Sequence, residues 1–150
     1  MATDWAHKFS GRQYPLVAVI DFDYSTFVTG TVYRVLDLPG GAILRNVTLR
    51  VQTIFNNTTP IFAVGLSTEG DADTDPDSLI DDAALTAVEG FAADLGAQAD
   101  EGNLDEAAGL IPSTGAGVNV KLGTTGQPTA GRAQLLVEYV VASRAQENQG

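Results

Sequence analysis

The 150-residue chain has no cysteine, which excludes disulfides, a thiolate nucleophile and Cys-based zinc or iron–sulfur sites. Histidine occurs once, at His7, and tryptophan once, at Trp5. A Ser-His-Asp arrangement would have to use His7, which lies in a polar N-terminal stretch that offers little to hold an imidazole rigid; a structural or idle role is expected for it. Basic residues are scarce: 8 Lys and Arg stand against 19 Asp and Glu, a net charge of −11. Affinity for nucleic acid comes largely from Lys and Arg displacing counterions, so nucleic acid is not an expected partner. Apolar runs such as Leu16 to Ile20 and Leu135 to Val137 fall far short of the roughly 20 residues that span a bilayer, so a membrane is not expected either. The opening MATDWAHKFSGRQYP lacks the apolar core of a signal peptide and points to synthesis and retention in a cytoplasm. Without an export signal, the sequons at Asn46, Asn56 and Asn57 read as strand and turn chemistry rather than glycosylation sites.

What is present suits one domain: 44% of the residues are hydrophobic, and a chain of this length buries roughly 68–70% of its unfolded surface. The acids are concentrated. Residues 69–106 hold 13 of the 19 and no basic residue, leaving the remainder at +2.

Strand signals flank the acidic segment. Residues 14–23 and 31–38 are rich in β-branched and aromatic side chains, separated by a Ser-Thr-Gly stretch, and suggest a first antiparallel pair. In 46–55, Val47, Leu49, Val51 and Phe55 share one face and Thr48, Arg50 and Gln52 the other, the pattern of a half-buried strand. Asn56 to Pro60 reads as a turn into Phe62, Val64 and Leu66, suggesting a hairpin with a longer loop. Val118, Val120 and Leu122 alternate again, as do Ala133, Leu135, Val137, Tyr139 and Val141.

The middle has another rhythm. Asp75-Pro76 suits a helix start, and Leu79, Ile80, Ala83, Ala84, Ala87 and Val88 follow at helical spacing up to Gly90. Asn103 with Glu106 resembles a capping box ahead of another short turn. The expected architecture is all-β, a jelly roll or β-sandwich with a long, acidic, partly helical excursion over about 74–112. Residues 1–13 form an N-terminal arm, 14–142 a single sandwich domain and 143–150 a C-terminal tail.

Two groups of residues attract a functional reading. Asp71, Asp73, Asp75 and Asp77 place oxygen ligands at alternate positions, with Asp81 and Asp82 beyond. In a calcium loop, however, Pro76 stands where the turn needs glycine and Asp82 where a bidentate Glu is expected. A looser divalent-cation site is the alternative to a solvated acidic loop. The second group is Trp5, Lys8, Phe9, Arg12 and Tyr14, an aromatic and basic arm suited to docking in a neighbour's groove or folding back on its own sandwich. Paired carboxylates for glycoside hydrolysis need an apolar pocket to raise one pKa, and the acids of 69–106 crowd a Gly-rich segment instead. No phosphate-cradling Gly-rich loop with Lys-Ser/Thr occurs. Neither an enzyme nor a cofactor is expected.

Three stretches together resemble a group of small tailed-bacteriophage virion proteins: Leu38-Pro-Gly-Gly-Ala-Ile-Leu, then NVTLRVQTIFNNTTPIFAVGLSTEGDAD, then PTAGRAQLLVEYV. In that group a Leu-Pro-x-Gly-Ala turn leads into a long strand, an acidic Gly-Asp-Ala-Asp loop follows a shorter one, and a Thr-Ala-Gly turn introduces the last. The elements fall here at 38–44, 46–66, 70–73 and 129–141, about half the chain. The resemblance implies a jelly roll and a capsid decoration (cement) protein, commonly trimeric, on the outer surface of the virion head. The expected partners are the major capsid protein and further copies of the chain, clamped through the arm and one edge or face of the sandwich. A head-fibre or tail component contacting a host surface is the alternative, followed by a carbohydrate-binding β-sandwich module. The family supplies no catalytic residues, and the segment 74–112 departs from its pattern.

Overall fold

Val47, Leu49 and Val51 are wholly buried, whereas Arg50 and Gln52, on either side of Val51, face solvent. That period-two burial is what a strand with one face on a core produces. A computed structural model of the chain describes residues 15–68, 78–93, 111 and 113–141, and within them it contains β1 (Leu16–Asp23), β2 (Val32–Leu38), β3 (Ile43–Thr53), β4 (Thr58–Thr68), β5 (Ile80–Ala84), β6 (Gly90–Ala92), β7 (Ala116–Thr125) and β8 (Arg132–Val140).

These strands form two four-stranded antiparallel sheets, ordered β1-β8-β3-β6 and β2-β7-β4-β5. This is the strand order of a jelly roll. The all-β expectation therefore holds, but two details differ. The segments expected to pair as hairpins lie in opposite sheets: β1 pairs with β8 and β2 with β7, while β3 pairs with β8 and β6, and β4 with β7 and β5. The helix expected from Pro76 to Gly90 is also not formed over the described residues 78–90, where β5 and the start of β6 run instead. Pairing of Ile61 with Ala84, Phe62 with Ala83 and Val64 with Ile80 overrides the local helical spacing. Asp82 adopts φ +45°, a left-handed conformation that breaks a helix.

Side chains from the two inner faces make the core. Phe22 of β1 stacks on Phe62 of β4 across the sandwich, with ring centroids 4.5 Å apart and planes at 18°. Phe27 and Phe55 lie 5.2 and 6.1 Å from Phe22, and Tyr33 lies 5.2 Å from Phe27. Leu44, Leu49, Leu122 and Leu135 fill the rest. Each fully buried side chain of this size contributes roughly 1.5–3 kcal/mol of hydrophobic stabilisation.

The topology gives the sandwich two unlike ends. The β1–β2, β3–β4, β5–β6 and β7–β8 connections gather at one, here the loop end. At the opposite, far end lie Pro15, the β2–β3 turn, Ser78, Ala93, Ile111, Ser113 and Val141, where Gly41 N–H donates to Ile111 O and Ile111 N–H to Ala42 O.

Candidate assembly surfaces

At the loop end, three side-chain amides bind the connections to one another. Gln127 Nε2 donates to Tyr24 O at 2.7 Å and to Phe27 O at 2.9 Å, and its Oε1 accepts from Thr29 N–H at 3.0 Å. Asn56 Oδ1 accepts from the N–H groups of Thr129 and Ala130 at 2.8 and 3.0 Å, while its Nδ2 donates to Thr129 Oγ1 at 2.7 Å. Asn57, at φ +81°, donates to Gly126 O and Gln127 O. Phe55 N–H donates to Leu85 O, joining the β3–β4 and β5–β6 connections. Loops tied to one another at this density are preorganised. The sequon residues Asn56 and Asn57 thus do turn chemistry, as their sequence context suggests.

Buried aromatics pin the same loops. Phe27 is 5% exposed while the adjacent Val28 is 58% exposed; Phe55 is 3% exposed while the adjacent Ile54 is 50% exposed. Val28 is further fixed by its N–H, which donates to the Tyr33 hydroxyl. Tyr24 and Val88 are also exposed at this end. The four connections carry a single charged residue, Glu89.

The outer face of the first sheet is different. Val17 and Val19 are exposed on β1, but Asp21, Asp23, Arg45, Arg50 and Arg132 are also exposed there. A shallow depression of about 460 Å³ lies among Thr48, Arg50, Val88, Glu89, Gln134 and Leu136. Apolar residues dispersed among charges are ordinary for a solvated sheet face. Asp23 has a pKa below the ordinary aspartate value, chiefly because the Ser25 hydroxyl and then the Ser25 N–H donate to its carboxylate. The second sheet's outer face carries small residues on β4: Ala63 pairs with Lys121, Gly65 with Asn119 and Ser67 with Gly117. Ser67 and Asn119 are buried, and the Arg34 side chain, paired with Asp37, covers Gly117. That face is largely closed to a partner.

Trp5, Lys8, Phe9, Arg12 and Tyr14 lie outside the described residues, as do His7 and Asp71, Asp73, Asp75 and Asp77. Among the described residues no three His, Cys, Asp or Glu side chains gather in a way that would hold a metal ion. Sequence reasoning missed Val28 and Ile54. Their signal was local: each is an aliphatic residue beside a phenylalanine in a connection without charged residues, Val28 within 24–31 and Ile54 directly after β3.

No family model and no curated protein sequence matches the chain. Its fold, however, matches solved chains. A chain of the acidic stable capsid structure of Helicobacter pylori bacteriophage KHP30 aligns with a TM-score of 0.59 and 18% identity, covering 86% of this chain and 89% of that one. The fold is one found in bacteriophage capsids. A chain of the Ralstonia phage GP4 capsid aligns at 0.50 over 83% of each chain, and one of the cyanophage Pam1 capsid asymmetric unit at 0.47 over 86% of each, both at 18% identity. At such identity the likeness carries the fold and not individual residues. The loop-end network of this capsid-type jelly roll therefore has to be read from its own side chains.

Proposed function

We propose that the chain is a virion structural protein that decorates a bacteriophage capsid and stabilises it by binding neighbouring major capsid subunits. The observation that carries this reading is the jelly roll aligned over 86% of its length with a chain of a phage capsid structure. The Leu38–Leu44, 46–66 and 129–141 motifs support it independently. A decoration protein works by mass action: binding the assembled shell better than free subunits shifts the equilibrium toward the shell. It needs no cofactor and no catalytic group. The net charge of −11 suits the outer surface, away from packaged DNA, where like charge also keeps particles apart.

In this reading the protein is a homotrimer, and the arm residues Trp5, Lys8, Phe9, Arg12 and Tyr14 provide one hold on a neighbour. Purified protein added to heads assembled without it should appear by electron cryomicroscopy at regular lattice positions. Density confined to the tail or to fibres would replace this reading with a host-contacting one. Light scattering should give three copies per particle in solution, and deletion of residues 1–13 should abolish head binding. Full occupancy after that deletion would remove the arm's role.

A further inference from the structure

Three of the four strands at the edges of the two sheets are ill suited to pair with a further strand. β5 has 5 residues, exposes Asp81 and Asp82, and holds Asp82 at φ +45°. β6 has 3 residues. β2 carries a register shift between Arg34 and Leu36 and exposes Arg34 and Asp37. Shortness, bulges and exposed charge are the devices that keep sheet edges from pairing with another chain. β1 lacks all three over Leu16 to Ile20: its 8 residues keep an unbroken register with β8, and its first charge is Asp21. We propose that β1 is a contact between copies of this chain, in which two β1 strands pair antiparallel about a two-fold axis at Ala18. This adds to the capsid reading above and does not depend on it.

The backbone groups of this edge are placed for pairing. Tyr24 N–H donates to Gly131 O at 3.1 Å, continuing the register in which Phe22 faces Ala133. The even-numbered residues of β1 therefore direct their N–H and C=O groups to β8, and Val17, Val19 and Asp21 direct theirs to the open edge. Asp23 N–H, of the same odd set, is taken by Thr26 Oγ1 instead. Among the described residues β1 has no strand partner but β8. Val17 and Val19 are 52% and 50% exposed on the outer face, and on the inner face Leu16, Ala18 and Ile20 are only half-buried, although Ala18 and Ile20 pack against the core. The single chain covers neither side of this edge.

A second copy of the same strand fits it. Leu16-Val17-Ala18-Val19-Ile20 reads nearly the same in both directions about Ala18. A two-fold interface is self-complementary: where residue i meets j, j also meets i. With Ala18 on the axis, Val17 of each copy faces Val19 of the other and Leu16 faces Ile20. The outward backbone groups of each facing Val17 and Val19 then exchange both N–H···O bonds. Asp21 faces Pro15, which has no N–H to leave unpaired, and acid does not face acid. An axis at Asp21 or Phe22 would set acid against acid, which is destabilising. The contact is small, at the low end of protein interfaces, so it forms where copies are concentrated, as on the surface of a particle.

Because the chain has no cysteine, an introduced one reports the axis directly. Residues facing across a non-hydrogen-bonded pair have Cα atoms about 4.5 Å apart, within the roughly 4.4–6.8 Å that a disulfide spans. Under mild oxidation at millimolar concentration, Ala18→Cys should form a disulfide-linked two-chain species at least roughly tenfold faster than Val88→Cys, although Val88 is the more exposed site at 68%. Added to Ala18→Cys, V17K/V19K should suppress the crosslink by setting lysine against lysine, and V17K/V19D should restore it by setting lysine against aspartate. V17K/V19K should melt within a few degrees of the unaltered chain, since both valines are half exposed. In sedimentation, the mass of the unaltered chain should rise with concentration and that of V17K/V19K should not. Equal rates for Ala18→Cys and Val88→Cys make the crosslink collisional and overturn the contact. A faster reaction of Val19→Cys than of Ala18→Cys overturns the axis at Ala18, and suppression by V17K/V19D as strong as by V17K/V19K overturns the facing of Val17 with Val19. A mass constant up to millimolar concentration leaves the edge to the arm or to another protein and overturns a second copy. Heads take no part in these measurements, so a failure of the capsid reading is read separately.

Discussion

The ring of Phe55 occupies the space that a side chain at residue 131 would need: a Cβ built on Gly131, whose φ is +135°, falls 2.4 Å from Phe55 Cγ. Backbone of the β7–β8 connection therefore lies directly on a core aromatic of the β3–β4 connection. Gly131→Ala should destabilise the fold by about 2–4 kcal/mol, combining a disfavoured backbone conformation with overpacking. Urea denaturation measures it. The double variant with Phe55→Leu should recover part of the loss, and a loss unchanged by the second substitution would show that the ring is not the obstacle.

Asn56 accepts hydrogen bonds from two successive backbone N–H groups, Thr129 and Ala130. Asn56→Ala leaves both to water and should cost about 1–2 kcal/mol. Amide hydrogen exchange at Thr129 and Ala130 should accelerate more than at the strand residues Leu135 and Val137. Asn56→Asp keeps the acceptor and should protect both amides again.

The Asp23 carboxylate is held below its ordinary pKa by donors that prefer its charged form, the Ser25 hydroxyl first, then the Ser25 N–H and Thr26. With the folded value depressed, the contribution of this turn to stability is present above the unfolded pKa and is lost as pH falls through the folded one. The effect is small because the group is exposed. Titration followed by NMR at the Asp23 side-chain carboxyl carbon should give a midpoint below 3.8, and Ser25→Ala should raise it. An unchanged midpoint in that variant would sever the link.

Replacing Asp71, Asp73, Asp75 and Asp77 together by Asn should leave the fold and head binding intact, since none of the four belongs to the described strands and the proposed hold is the arm. Calorimetric titration of the unaltered chain with Ca²⁺ should give no saturable heat at millimolar concentration. Saturable heat that disappears in the Asn variant would establish a cation site, and lost head binding would make the acidic loop a contact.

Alternation made the strands legible. The inward rows Val47-Leu49-Val51, Val118-Val120-Leu122 and Ala133-Leu135-Val137 are buried as their spacing predicts. What alternation does not encode is the neighbour: it says that Val19 and Val47 belong to half-buried strands, not that β8 lies between them. In a jelly roll successive strands usually cross to the other sheet, so proximity in sequence misleads about pairing. The segment IDDAA at β5 was illegible for another reason. Its Ala and Asp residues have low strand propensity, and only the β4 edge makes a strand of them. The loop end was hidden because its amides act across 69 to 103 positions of sequence, a distance at which no local pattern operates.

The central placement of β7 and β8 bears on synthesis. β8 lies between β1 and β3, and β7 between β2 and β4, so β1 and β2 have no neighbour within their sheets, and β3 and β4 only the short β6 and β5, until residues 116–140 leave the ribosome. Neither sheet can close progressively behind the growing chain. Such non-local pairing folds slowly and leaves apolar strand edges open in the interval. A nascent chain stalled before residue 116 should therefore be handled by chaperones as an unfolded polypeptide, and the two sheets should appear together rather than in succession once β8 is released.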